Sequence, residues 1–172
     1  LPTGTPEQMA KVLFEGQMGV TDSHMRKVLQ AALSRGGDYA DLYFEYAYRT
    51  SVVMEESIIK NSSISISKGV GVRVLKGDQT GYAYSEDLSF EAMQRAARTA
   101  ASIATSATVK EHEGYQFNRL KPSNHYPVMR TVTDLPLADK ITKIQTAERA
   151  AHDFDPRIKR VTVSMVDTVD IV

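Results

Sequence analysis

Residues 38–85 read DYADLYFEYAYRTSVVMEESIIKNSSISISKGVGVRVLKGDQTGYAYS, and the period of this stretch decides the fold. From residue 41 to residue 55, Leu42, Phe44, Tyr46, Tyr48, Val52 and Met54 fall on one side. Asp41, Glu45, Arg49, Ser51 and Glu55 dominate the other. A period of two in a run rich in aromatic and β-branched residues is that of a half-buried strand. A turn near Glu56-Ser57 leads into a second strand through Ile64 and Ile66. A third carries Val70, Val72 and Val74 alternating with Gly71, Arg73 and Leu75. The loop at residues 77–80 then returns the chain to a hairpin partner at Gly81-Tyr82-Ala83-Tyr84. Four adjacent strands with tight connections imply a largely antiparallel meander.

Helical patterns lie on both sides of this stretch. Upstream, Thr5-Pro6-Glu7-Gln8 has the form of a capping box with Pro at the first helical position, and Met9, Val12 and Leu13 follow at helical spacing. Gly16 and Gly19 end this short helix. Thr21 or Asp22 caps a second, in which Met25, Val28, Leu29, Ala32 and Leu33 form one stripe, and Gly36-Gly37 stops it. Downstream, Ser89 caps a helix lined by Phe90, Met93, Ala97, Ala100, Ala104 and Ala107, whose small residues allow close approach to a sheet. Residues 108–135 show no period and carry Pro122 and Pro127. They read as a long surface connection, and structureless loops beyond roughly 12–15 residues are usually functional or mobile. A fourth helix is expected from near Asp134, with Pro136 in its first turn and Leu137, Ile141, Ile144, Ala147, Ala151 and Phe154 on its buried face. Asp155-Pro156 turns the chain into a last strand marked by Val161, Val163, Met165, Val169 and Ile171.

The fold class expected is α+β, a largely antiparallel sheet packed against helices in two layers. A weak helix–strand repeat runs through it, ending once in DLYFEYAYRTSVVME and again in RVTVSMVDTVDIV. Residues 1–20 form an extension with a short helix, and residues 21–172 one α/β domain. Val172 falls inside a strand-like run and the first residue is Leu1 rather than Met, so a longer parent protein is expected.

At 172 residues, 42% hydrophobic and 24% charged, the chain is long enough to bury a core and globular in composition. Lys plus Arg equals Asp plus Glu at 21 each, so no overall field favours nucleic acid or an acidic membrane surface. The absence of Cys excludes disulfides and thiolate chemistry within the chain. No apolar run approaches the roughly 20 residues that span a bilayer, and no signal peptide is visible, which leaves the cytoplasm as the default location.

A local search for chemistry finds no catalytic centre. Gly69-Val70-Gly71 lacks the third glycine of a dinucleotide fingerprint and precedes a strand, so it reads as a place of close backbone approach. Of His24, His112, His125 and His152, only His112 precedes a Glu, and Gln116 and Phe117 stand where a second zinc-binding His would be needed. Asp41 and Glu45 share a strand face as paired carboxylates could, and alternating charges on an exposed face explain them as well. Ser62, Ser63 and Ser65 lie outside any G-x-S-x-G elbow. Arg73 is the one site candidate. A cation in a Val-rich strand needs a partner or solvent, either as a structural ion pair or as an anchor for a substrate carboxylate in a cleft.

GGDYADLYFEY, EESIIKN and above all KGVGVRVLKGDQTGYAYSEDLS, followed by an Ala-rich helix, resemble the N-terminal domain of the TldD/PmbA family of zinc metallopeptidases, also described as modulators of DNA gyrase. The resemblance covers residues 21–107 and extends more weakly through 137–172, and its motifs look more like the TldD branch than the PmbA (TldE) partner. It implies a non-catalytic domain that helps wall a substrate cleft and contacts another subunit, in a homo- or hetero-oligomer acting on unfolded or small peptides. It also implies that zinc is held by an H-E-x-x-x-H helix in a C-terminal part. No residue of this chain matches that motif, so no catalytic, cofactor or metal residue is carried over, and the chain alone is expected to be inactive. A peptide-binding or regulatory module of the PmbA type, without peptidase activity, is the alternative. Direct binding to DNA or membrane is not expected.

Overall fold

The computed structural model describes residues 5–105 and 131–172. In chain order the elements are α1 (Pro6–Ala10) running into a π-helical stretch (Lys11–Gln17), α2 (Asp22–Leu33), β1 (Tyr39–Glu55), β2 (Ile58–Lys76) and β3 (Gln79–Ser85). There follow α3 (Phe90–Ala104), a 3-10 turn (Val132–Asp134), α4 (Leu137–Phe154) and β4 (Thr162–Ile171). The four strands form one sheet in the order β3-β2-β1-β4.

The sheet is antiparallel. β2 and β3 pair from Val70 opposite Ser85 to Lys76 opposite Gln79. Glu56 N–H donates to Val161 O at 3.3 Å and Thr50 Oγ1 donates to Asp167 at 3.0 Å, so β4 ascends as β1 descends. The α+β class therefore stands, with one correction inside the opening stretch. The expected second and third strands are a single strand of 19 residues, and the fourth strand of the sheet is β4. Within residues 38–85 only Glu56, Ser57 and Gly77 have positive φ, so nothing between Ile66 and Val70 reverses the chain.

The described chain falls into two compact units. One holds residues 5–46, 67–105 and 171–172. Its helices start as their sequences dictate: Thr5, Thr21 and Ser89 side chains each accept an N–H from the first turn. Gly36, at φ +79°, follows α2, as expected for its stop. Val70, Val72 and Val74 are fully buried, as are Met93, Ala97 and Ala100 of α3. α3 lies so close to β3 that a Cβ on Gly81 would stand 2.0 Å from Ala100 O and 2.7 Å from Ala104 N.

The other unit holds residues 47–66 and, among those described, 131–170. Val52, Met54 and Ile144 are its buried centre, with Val163 and Met165 packed against them. Helix α4 begins one residue after Pro136, which is its cap rather than part of its first turn. Its inward face is also rotated from the expected stripe. Lys140, Ile144 and Glu148 are buried, while Leu137 and Phe154 are exposed. Specific partners cause the rotation. Lys140 Nζ reaches Asp167 Oδ2 at 2.7 Å and donates to Thr50 Oγ1 at 3.1 Å. Glu148 accepts from Ser57 N at 2.5 Å and from Ser57 Oγ at 2.8 Å.

Gly81→Ala must push α3 off the sheet, and overpacking of this kind costs about 1–3 kcal/mol or more. Gly16→Ala, in the helical stretch with nothing within 4 Å of the new methyl, is the control in the same urea titration and should raise stability by up to about 1 kcal/mol. Lys140→Met leaves Asp167 buried without its cation and should cost about 3–5 kcal/mol. Adding Asp167→Leu should recover most of that loss in the urea midpoint.

A tyrosine-lined groove on the open sheet face

The unit that contains α3 offers one sheet face to solvent. Because side chains alternate, burying Val70, Val72 and Val74 turns Gly69, Gly71 and Arg73 to the opposite side, where Tyr82 and Tyr84 stand across from Arg73 and Gly71. β1 adds Tyr39, Asp41, Tyr43 and Glu45. The tyrosines are strongly exposed, from 48% for Tyr39 to 70% for Tyr84.

A shallow groove of about 220 Å³ crosses this face, lined by Tyr43, Tyr82 and Tyr84, with Gly69 and Gly71 on its floor and Glu45, Lys68 and Glu86 among its polar groups. Small-molecule pockets are typically about 300–1,000 Å³ and enclose their ligand, so this open groove is better matched to a chain lying across it. The glycines are fixed by contact. A Cβ on Gly71 would meet the Tyr82 hydroxyl at 2.5 Å, and one on Gly69 would meet Ser85 O at 3.0 Å. Close backbone approach therefore holds at Gly69, whereas Gly71 is covered by the Tyr82 ring.

Arg73 lies at this face in an ion pair with Asp41. Its Nε donates to Oδ1 at 3.2 Å, its terminal nitrogen donates to Oδ2, and Tyr39 OH donates to the same carboxylate at 3.4 Å. Hydrogen bonding to Asp41, and then the carboxylate's charge, hold the Arg73 pKa above its ordinary value, so the guanidinium remains a cation throughout. Asp41 is engaged with Arg73, while Glu45 lines the groove.

Each of the two described histidines has its own local partners. His24 stacks on Phe90 at 5.0 Å and its Nδ1 lies 3.1 Å from Gly19 O, while His152 Nδ1 lies 3.3 Å from Ile158 O. His112 and His125, with the connection at residues 108–130, lie outside the described residues. Among the described residues no three His, Cys, Asp or Glu side chains gather where a metal ion could sit. None of the described helices is long and apolar enough to cross a membrane. The groove is not evident from sequence because its tyrosines look like ordinary strand residues; the available signal was the two-residue spacing of Tyr82 and Tyr84 on one hairpin strand opposite that of Gly71 and Arg73 on the other.

Gly71→Val should expel the Tyr82 ring from the groove floor. The expected result is a rise in acrylamide quenching of tyrosine fluorescence, with a stability loss of about 1–3 kcal/mol.

Comparison with known proteins places these elements. The family described as PmbA/TldA metallopeptidase domain 1 matches residues 40–104. A metalloprotease TldD homolog of Haemophilus influenzae is 33% identical over 131 residues, covering 76% of this chain and 27% of the relative. One from Buchnera aphidicola is 26% identical over 151 residues, covering 88% and 31%. The chain therefore spans about a third or less of the curated relatives it matches. Among solved structures, a protein described as a modulator of DNA gyrase from Thermotoga maritima superposes with a TM-score of 0.63 at 19% identity, over 87% of this chain and 34% of that one. TldE from Thermococcus kodakarensis gives 0.51 at 14% identity, over 86% and 34%. At these identities the structures share the fold alone. Residues 40–104 thus match the family described as PmbA/TldA metallopeptidase domain 1, and the chain is similar to metalloprotease TldD homologs.

Proposed function

We propose that the chain is the N-terminal, non-catalytic domain of a TldD-like zinc metallopeptidase that acts on unfolded or small peptides as an assembly of family subunits. In this reading the open sheet face helps wall the substrate cleft. The single observation that carries it is the groove floored by Gly69 and Gly71 and flanked by Tyr43, Tyr82 and Tyr84. Exposed tyrosine rings give flat, amphipathic contact area at low entropic cost, which suits peptides of varied sequence. Arg73 carries five N–H donors in a fixed fork. Asp41 takes up part of that fork, and the half-exposed remainder can meet a peptide carbonyl or terminal carboxylate.

The zinc of such a peptidase belongs, in this reading, to residues outside this chain, and no catalytic step is assigned to the residues described. The cytoplasm is the location that accompanies the proposal. A second reading is a PmbA-type module that binds peptides without cleaving them, and the fold shared with TldE accommodates it equally. An H-E-x-x-x-H segment in the parent protein distinguishes the peptidase from the module.

Incubating the 172-residue chain with an unstructured peptide, with and without added zinc, should show weak binding and no cleavage. Arg73→Ala and Tyr84→Ala should each weaken binding several-fold while leaving the urea midpoint unchanged. Cleavage by the chain alone would refute the non-catalytic role, and loss of binding in neither variant would refute the groove.

A further inference from the structure

Strand β2 is covered by β3 only from Val70 onward. Its first half, residues 58–68, is exposed at every position, and among the described residues no strand pairs with it on the β3 side. Ile58, Ile64 and Ile66 are 58%, 66% and 56% exposed. An open edge that presents its hydrogen-bonding groups and alternating isoleucines is a template for one more strand.

We infer that this edge pairs antiparallel with the same edge of a second copy of the chain, about a two-fold axis at Ser62. Self-complementarity selects both the occupant and the register. Centred on Ser62, Ile58 of each copy lies opposite Ile66 of the other, and Lys60 opposite Ile64. Just beyond, Glu56 faces Lys68, so opposite charges meet at both ends of the pairing. Centring on Ile64 would instead set Lys60 against Lys68 twice, which like-charge repulsion disfavours. The Ser62 register also fits the available edge. The turn at Glu56-Ser57 of the second copy reaches only to residues 67 and 68, short of the start of β3 pairing at Val70. Each copy presents the same patch, as a closed two-fold interface requires. This deepens, and rests on, the subunit association proposed above.

The chain has no native cysteine, so a single introduced thiol reports the geometry cleanly. Directly opposed residues of paired strands stand about 4.5–5.5 Å apart, within the span a disulfide bridges. S62C should therefore form a disulfide-linked dimer on mild oxidation many times faster than S102C, placed on the exposed side of α3. Sedimentation of the unmodified chain should show a concentration-dependent dimer that I58K/I66K weakens at least tenfold, with an unchanged far-ultraviolet circular dichroism spectrum. A chain that stays monomeric at every concentration overturns both this pairing and self-association. A dimer that S62C crosslinks no faster than S102C, or that I58K/I66K leaves intact, overturns this edge while leaving association standing.

Discussion

The turn at Glu56-Ser57 is the constraint on which the hairpin of β1 and β2 depends. Both residues have positive φ, 50° and 61°, in a two-residue turn of the kind usually built from Asn-Gly. Left-handed backbone costs roughly 1–2 kcal/mol for each such non-glycine residue. Glu148 offsets that cost from inside the fold by accepting both the N–H and the hydroxyl of Ser57. Hydrogen bonds to a charged group contribute about 1.5–3 kcal/mol each, so the two together can match the strain. A turn unfavourable by itself is thereby held by a helix nearly a hundred residues later in the sequence.

A second polar device holds the same unit. Lys140, Asp167 and Thr50 join α4, β4 and β1 through mutual contacts of 2.7, 3.1 and 3.0 Å. A one-residue slip of β4 along β1 would turn Asp167 away from Lys140 and present Val166 or Thr168 to the buried face. A uniformly apolar interface would tolerate neighbouring registers more readily. The triad therefore contributes more to uniqueness of strand register than to net stability, because the desolvation of two buried charges opposes their attraction.

Much of the fold was legible because local rules and tertiary packing agree there. Thr21 and Ser89 cap the helices that follow them, and the even-numbered residues of β1 include all its buried positions: Tyr46, Thr50, Val52 and Met54. Legibility failed where a distant partner decided the outcome. Lys140 and Glu148 occupy one helix face with Ile144, but periodicity counts only apolar residues and so placed Leu137 and Phe154 inside. Asp167 shares the inward parity of Val163 and Met165, and a carboxylate at such a position signals a buried cation elsewhere. The continuity of β2 was hidden because the apolar alternation through Ile64 and Ile66 lapses at Lys68 before resuming at Val70, whereas the backbone stays extended. The ion-pair partner of Arg73 became evident only when β1 and β2 were set side by side.

The groove and the matched family segment coincide in the sequence. Residues 40–104 form the matched family segment and include most of the groove and its glycine floor. The small residues of α3 allow the helix to press on Gly81, which commits one side of the strands to packing and leaves the other open to solvent. In the function proposed above, this open face is the surface on which an unstructured peptide is held. Residue-resolved nuclear magnetic resonance titration of the chain with an unstructured peptide tests it most directly. The account predicts amide shifts concentrated at Tyr43, Gly69, Gly71, Tyr82 and Tyr84; shifts confined to other residues, or none at saturating peptide, would contradict it.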